Sequence, residues 1–183
     1  RKIQQYLFPD NQYGNESGGD PDAIPTLTQE EFTAFHKKYY HPSNSYIMLY
    51  GNGDIEKHLQ FIDEQYLSRF TKQEIDASIP LQKPFGQPIE KVEEYAISSA
   101  ETEQGKTFFS LNFVTGRSTD TELYYALDIL SHLLMQTSAS PLRKALLEKE
   151  IGQSVSGMFD TVQQPIFSII VKNSDPEKKE QLK

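Results

Sequence analysis

Three prolines spaced four residues apart, Pro80, Pro84 and Pro88, decide how this 183-residue chain can be divided. Each lacks a backbone N–H and fixes φ, so neither a helix nor a central strand can run through them. The residues between them are mostly polar. Residues 71–88 therefore read as an extended linker, and the chain splits into residues 1–70, the linker, and residues 89–183.

The part before the linker opens with turn formers: Pro9, Asp10 and Asn11, then Ser17, Gly18, Gly19, Asp20 and Pro21, then Pro25. Thr28 and Glu31 have the spacing of a capping box, which predicts a helix carrying Phe32, Phe35 and Tyr39 on one stripe. Pro42 stops it. Residues 46–50 are apolar and aromatic and predict a buried strand. Gly51, Asn52 and Gly53 turn the chain. Asp54 caps a second helix, with Ile55, Leu59, Ile62 and Tyr66 at helical spacing.

Beyond the linker, strands are expected over 89–97 and 107–115, joined as a hairpin. In the second, Phe109, Leu111 and Phe113 alternate on one face, with Phe108 and Val114 on the other. Thr119 and Glu122 form a second capping-box pattern. The helix it opens carries a stripe of Leu123, Ala126, Leu127, Leu130, Leu133 and Leu134. Ser140 and Pro141 start a short helix with Leu142, Ala145 and Leu146, and Gly152 is expected to end it. Two more strands are expected near 154–159 and 166–171, then a last helix from Ser174 to Glu177 onward. The order β-β-α-α-β-β-α predicts an α+β fold: an antiparallel-rich sheet with helices on one face, preceded by the partial end of a similar domain.

Charge excludes one class of partner. The net charge is -8, and it is spread evenly: 6 Lys and Arg against 10 Asp and Glu in residues 1–70, and 12 against 16 in the rest. No basic stripe exists to neutralise phosphates, so no nucleic-acid partner is expected. The absence of cysteine excludes disulfides, thiolate zinc sites and cysteine nucleophiles within the chain. No run approaches the roughly 20 apolar residues of a membrane span, so no membrane partner is expected. With 37% hydrophobic residues, the chain has enough apolar material for a packed core.

Candidate chemistry is sparse. The histidines are His36, His41, His58 and His132, and none stands in a His-x-x-x-His or His-x-x-Glu-His arrangement. Those spacings matter because i and i+4 bring two imidazoles to one helix face. The adjacent carboxylates Glu30 and Glu31, Asp63 and Glu64, and Glu93 and Glu94 read as caps or solvated faces. The glycine pair at 18–19 lacks the lysine of a phosphate loop, and Ser156-Gly157 lacks the glycines of a nucleophile elbow. No catalytic, cofactor-binding or metal-binding residue is assigned within the chain.

Three stretches carry a resemblance. The first is Ser17, Gly18, Gly19, Asp20 and Pro21, followed by Ile24, Pro25, Leu27 and Thr28. The second runs from Phe32 through His36, Tyr39, Tyr40, His41, Pro42, Ser43 and Asn44 to Tyr50, Gly51 and Asn52. The third is Ser140, Pro141, Leu142, Lys144, Ala145 and Leu146, followed by Gly152. In order and spacing they resemble the presequence-protease branch of the pitrilysin/insulinase superfamily of zinc metallopeptidases. The resemblance implies two halves, each of two similar α+β domains, closing around a chamber. Zinc would be held by an inverted His-x-x-Glu-His motif and a distant Glu, all upstream of this chain.

By that resemblance, residues 1–70 are the end of the first, catalytic-type domain and residues 89–183 the start of the second, non-catalytic one. The chain would supply scaffold and chamber wall to an endopeptidase that degrades unfolded peptides. Its partners would be those peptides and the remainder of the same polypeptide. Zinc would be the cofactor of the parent and not of this chain. The alternative parent is a non-catalytic peptidase-like protein acting in peptide binding or assembly. Both ends are expected to continue in a longer polypeptide. A bacterial cytoplasm is the expected location, with an organelle matrix as the other candidate.

Overall fold

The computed structural model describes residues 2–182 and separates two compact units, Glu16–Ile79 and a second built from residues 2–15 and 80–182.

The second unit holds a three-stranded antiparallel sheet in the order β1-β3-β2, formed by β1 (Thr107–Val114), β2 (Ser154–Asp160) and β3 (Ile166–Ser174). The strand latest in sequence is central. Leu111 and Gly157 both stand opposite its Ile169. Because side chains alternate along a strand, β3 feeds two cores. One face buries Met135, Leu146, Ile151, Val155 and Val171, with Phe109 packed alongside. The other buries Leu7, Phe8 and Ile166, with Val114 and Tyr13 alongside. The alternation expected for Phe109 and Val114 is thus realised as membership of different cores.

The first core is roofed by α4 (Thr121–Ser131), a π-turn (His132–Gln136) and α5 (Pro141–Glu148). The α4 cap is Asp120, whose carboxylate accepts from the Leu123 amide at 3.1 Å; the cap expected at Thr119 lies one residue late. The leucine stripe also departs from expectation. Leu130 and Leu133 are exposed, while Ser131 and Met135 are buried. The less exposed row recurs every fourth residue, through Leu123, Leu127, Ser131 and Met135, so Leu130 and Leu133 fall to its side, and the π-turn carries the row on to Met135, which stands against Gly157.

The second core is closed by α1 (Lys2–Leu7), on the face opposite α4. Residues 2–15, read from the sequence with the segment ending at 70, pack instead with the later unit. Leu7 and Phe8 supply the reason, since they find their burial against Ile166. A polar seam reinforces it. Buried Gln82 donates to the Asp10 carboxylate at 2.7 Å and accepts from the Asp10 amide at 3.1 Å, and Asn11 donates to the Pro80 carbonyl at 2.9 Å.

Two expected strands make no ladder among the described residues. Residues 89–97 touch β1 through side chains, with Tyr95 stacked on Phe108 at 5.6 Å. β1 pairs with β3, so the expected hairpin is replaced by a long-range pairing. Residues 46–50 lie in the other unit and pair with nothing described there; the side chains of Tyr46, Met48 and Tyr50 are almost wholly exposed. A strand is completed by its neighbour, and the apolar pattern does not supply one.

The unit Glu16–Ile79 is built from α2 (Gln29–Tyr39) and α3 (Ile55–Gln65), and none of its residues is buried. The capping box forms as expected: Thr28 Oγ1 accepts from the Glu31 amide at 3.2 Å, and the Glu31 carboxylate accepts from the Thr28 amide at 2.9 Å.

Gly152 does not end α5 through a left-handed conformation; Glu150 takes that role, with φ 52°. A Cβ on Gly152 would stand 2.4 Å from Val171 Cγ1 and 2.7 Å from the Lys172 carbonyl oxygen. The glycine is there for close approach to the central strand. Gly152→Ala is expected to lower stability by about 1–3 kcal/mol, read as a lower denaturant midpoint. In amide exchange, residues 46–50 are expected to exchange early and the centre of β3 last; equal protection would contradict this account of the ladder.

Candidate functional site

The four histidines are each engaged locally. His36 stacks on Tyr40, one helical turn away, at 4.6 Å. His41 accepts from the Ser43 amide through Nδ1 at 3.1 Å and sets the short turn that begins at Pro42; its ring meets Phe70 edge-on. His58 projects from α3 against Gly53. His132 lies at the start of the π-turn, 3.2 Å from the Gln136 amide oxygen. Among the described residues, no group of three or more His, Cys, Asp or Glu side chains could hold a metal ion. The described residues do not fit a zinc ion.

One member of each adjacent carboxylate pair has a hydrogen-bond partner. Glu31 caps α2. Glu64 accepts from Gln60 at 2.6 Å. Glu93 accepts from the Tyr6 hydroxyl and faces Lys2 at 3.6 Å, tying α1 to the extended segment beyond the linker. The Tyr6 hydrogen bond, helped by Lys2, holds the Glu93 carboxyl below its ordinary range, and the same bond pushes the Tyr6 hydroxyl up. The Lys106 ammonium does the same to Glu101, at 2.6 Å. These are exposed structural pairs.

Two hollows lie in the unit Glu16–Ile79. One of about 130 Å³ is lined by Leu49, Tyr50, Gly51, Gly53, Ile55 and His58. The other, about 330 Å³, is lined by Pro42, Ser43, Leu67, Phe70, Thr71, Lys72 and Gln73. Ligand pockets usually enclose about 300–1,000 Å³ around a few convergent polar groups. The first hollow is too small, and the second brings together only one charged group. Sequence reasoning did not single out the π-turn. Its neighbour Ser131 has a buried hydroxyl with no hydrogen-bond partner.

The chain has known relatives. A family model described as the peptidase M16 inactive domain matches residues 26–183. The chain is 52% identical over 184 residues to Protein HypA of Clostridium perfringens, covering 100% of this chain and 19% of that protein. It is 40% identical over 182 residues to presequence protease 1, chloroplastic/mitochondrial, of Arabidopsis thaliana, covering 97% and 17%. With the mitochondrial presequence protease of Danio rerio the identity is 36% over 171 residues, covering 91% and 17%. The chain thus spans less than a fifth of the length of these relatives. In fold it is similar to a protease from Helicobacter pylori known from a crystal structure, with a TM-score of 0.57 at 18% identity, covering 100% of this chain and 48% of that one. No described helix is long and apolar enough to cross a membrane.

The hydrogen bonds from the Thr28 amide and then the Thr28 hydroxyl hold the Glu31 carboxyl below its ordinary range. A carboxyl depressed in the folded state contributes stability above its unfolded pKa, and that contribution is lost as pH falls through the folded pKa. Protection of the α2 amides is therefore expected to fall on acidification through the carboxylate range. Glu31→Gln is expected to flatten that dependence, as read by residue-resolved amide exchange.

Proposed function

This chain belongs to the peptidase M16 family, in the presequence-protease branch of the pitrilysin/insulinase superfamily, and we propose that it is the scaffold and chamber-wall segment of a longer zinc-dependent endopeptidase that degrades unfolded peptides. The observation that carries the reading is the match of residues 26–183 to the inactive domain of that family. Relatives named as presequence proteases support the peptidase part of it.

In this reading residues 1–70 end a catalytic-type domain, although residues 2–15 pack with the later unit, residues 71–88 link, and residues 89–183 begin the following non-catalytic domain; the inactive-domain match, which starts at residue 26, runs across that boundary. The zinc and its ligands belong to the rest of the polypeptide. The outer edge of β2 makes no ladder among the described residues. Such an edge offers backbone donors and acceptors either to further strands of the same polypeptide or to an extended peptide. The similarity to a Clostridium protein favours a bacterial cytoplasm as the setting.

The test uses the full-length parent beside the 183-residue chain. Zinc would be measured by elemental analysis after dialysis, and cleavage of an unstructured peptide with and without chelator. The expected result is one zinc per parent with chelator-sensitive cleavage, and neither stoichiometric zinc nor cleavage for the chain alone. A parent with no zinc and no cleavage would overturn the reading and leave peptide binding or assembly as the activity to measure. Zinc held by the chain alone would overturn the assignment of the ligands to the rest of the polypeptide.

A further inference from the structure

We infer that residues 45–50 form an adhesive strand that pairs with the same segment of a second copy of this chain. The segment reads Ser45, Tyr46, Ile47, Met48, Leu49, Tyr50. It has high β-propensity and contains neither Pro nor Gly, the composition from which strands of separate chains stack. No Asp, Glu, Lys or Arg occurs from Tyr39 to Gly53, so two copies meeting here set no like charges opposite each other.

The second observation is the state of its backbone. Among the described residues the N–H groups of residues 46–50 donate to nothing, and their carbonyls accept from nothing. The third is access. Tyr46, Met48 and Tyr50 are almost wholly exposed, whereas Ile47 is 52% and Leu49 39% exposed. That two-residue period is the period of an extended strand, with a Tyr-Met-Tyr face open to solvent. Pairing groups, apolar side chains and extended shape are thus all present, and only the neighbouring strand is lacking.

The segment is complementary to itself. Antiparallel pairing centred on Met48 sets Tyr46 of each copy opposite Tyr50 of the other, Ile47 opposite Leu49, and Met48 opposite Met48. This is a two-fold contact with aromatic cross-strand pairs at both ends. The other unpaired edge, β2, is a poorer candidate: it carries Ser154, Ser156, Gly157 and Asp160, and glycine and charge weaken strand adhesion. The net charge of -8 opposes the approach of two copies, so salt strengthens the contact by screening that repulsion. The inference does not rest on the peptidase reading. In a longer polypeptide, any strand that pairs with residues 45–50 covers the same edge and suppresses the contact.

The experiment follows the 183-residue chain by sedimentation over a range of protein and salt concentrations. Its mass is expected to rise with both, and the amides of residues 46–50 to gain protection from exchange as it does. Met48→Lys places a charge at the centre of the contact, and Met48→Pro removes an amide that donates to nothing within the chain. Both are expected to stay monomeric with unchanged circular dichroism. The chain has no cysteine, so a single introduced one reports proximity. Opposed residues in an antiparallel pair lie about 4.5–5.5 Å apart between α-carbons, within the reach of a disulfide. Under mild oxidation Met48→Cys is expected to form dimers several-fold faster than Ser156→Cys on the β2 edge, and urea should remove the difference. A chain that stays monomeric throughout would overturn the inference. So would Met48→Lys and Met48→Pro chains that associate like the unaltered one, or Ser156→Cys dimers that form as fast as those of Met48→Cys.

Discussion

The antiparallel pairing of β3 with both of its neighbours is the constraint on which the unit built from residues 2–15 and 80–182 rests. Remove β3 and no sheet remains, because β1 and β2 do not pair with each other. The same strand also supplies the central side chain of each core: Val171 on the side roofed by α4 and α5, Ile166 on the side closed by α1. Burying a valine or isoleucine side chain is worth about 1.5–3 kcal/mol. β3 therefore joins backbone pairing, two apolar cores and the anchoring of residues 2–15 in a single element.

The unit Glu16–Ile79 stands in contrast. Its order comes mostly from capping, turns and ring contacts between near neighbours, such as Phe35 on Tyr39 at 4.8 Å and Tyr66 on Phe70 at 5.0 Å, with His41 against Phe70 as a longer-range contact. Helices of 11 residues are marginal when held by local terms alone. Phe32, Phe61, Tyr46 and Tyr50 face solvent. That is an unusual allotment of aromatic surface, and it agrees with a segment whose relatives are more than five times longer. The scaffold reading gives these side chains a purpose that the described residues alone do not.

What the sequence could reveal tracks the range of the interaction involved. Caps and stops act over three or four residues, so Thr28 with Glu31, Asp54 and Pro42 could be read directly. The period of Phe109, Leu111 and Phe113 was also local and held. Pairing was not local: β1 is joined to a strand more than fifty residues later, and nothing in 89–97 announces that its pattern will go unpaired. The π-turn escaped for a related reason, since a one-residue change of winding is stabilised by the sheet beneath it. The family was legible only through resemblance. No spacing of His, Asp or Glu in the chain marks chemistry, and the family was carried by turn residues and aromatic positions whose physical role is structural.

The position of β3 has a consequence for how such a chain comes into being. A ribosome delivers residues in order, at about 5–20 per second. Both edge strands, and the N-terminal apolar pair Leu7 and Phe8, emerge before the strand that joins them. Until residues 166–174 are released, the edges and the two incipient cores have no partner. The sheet therefore assembles in a single step, once residues 166–174 have been released.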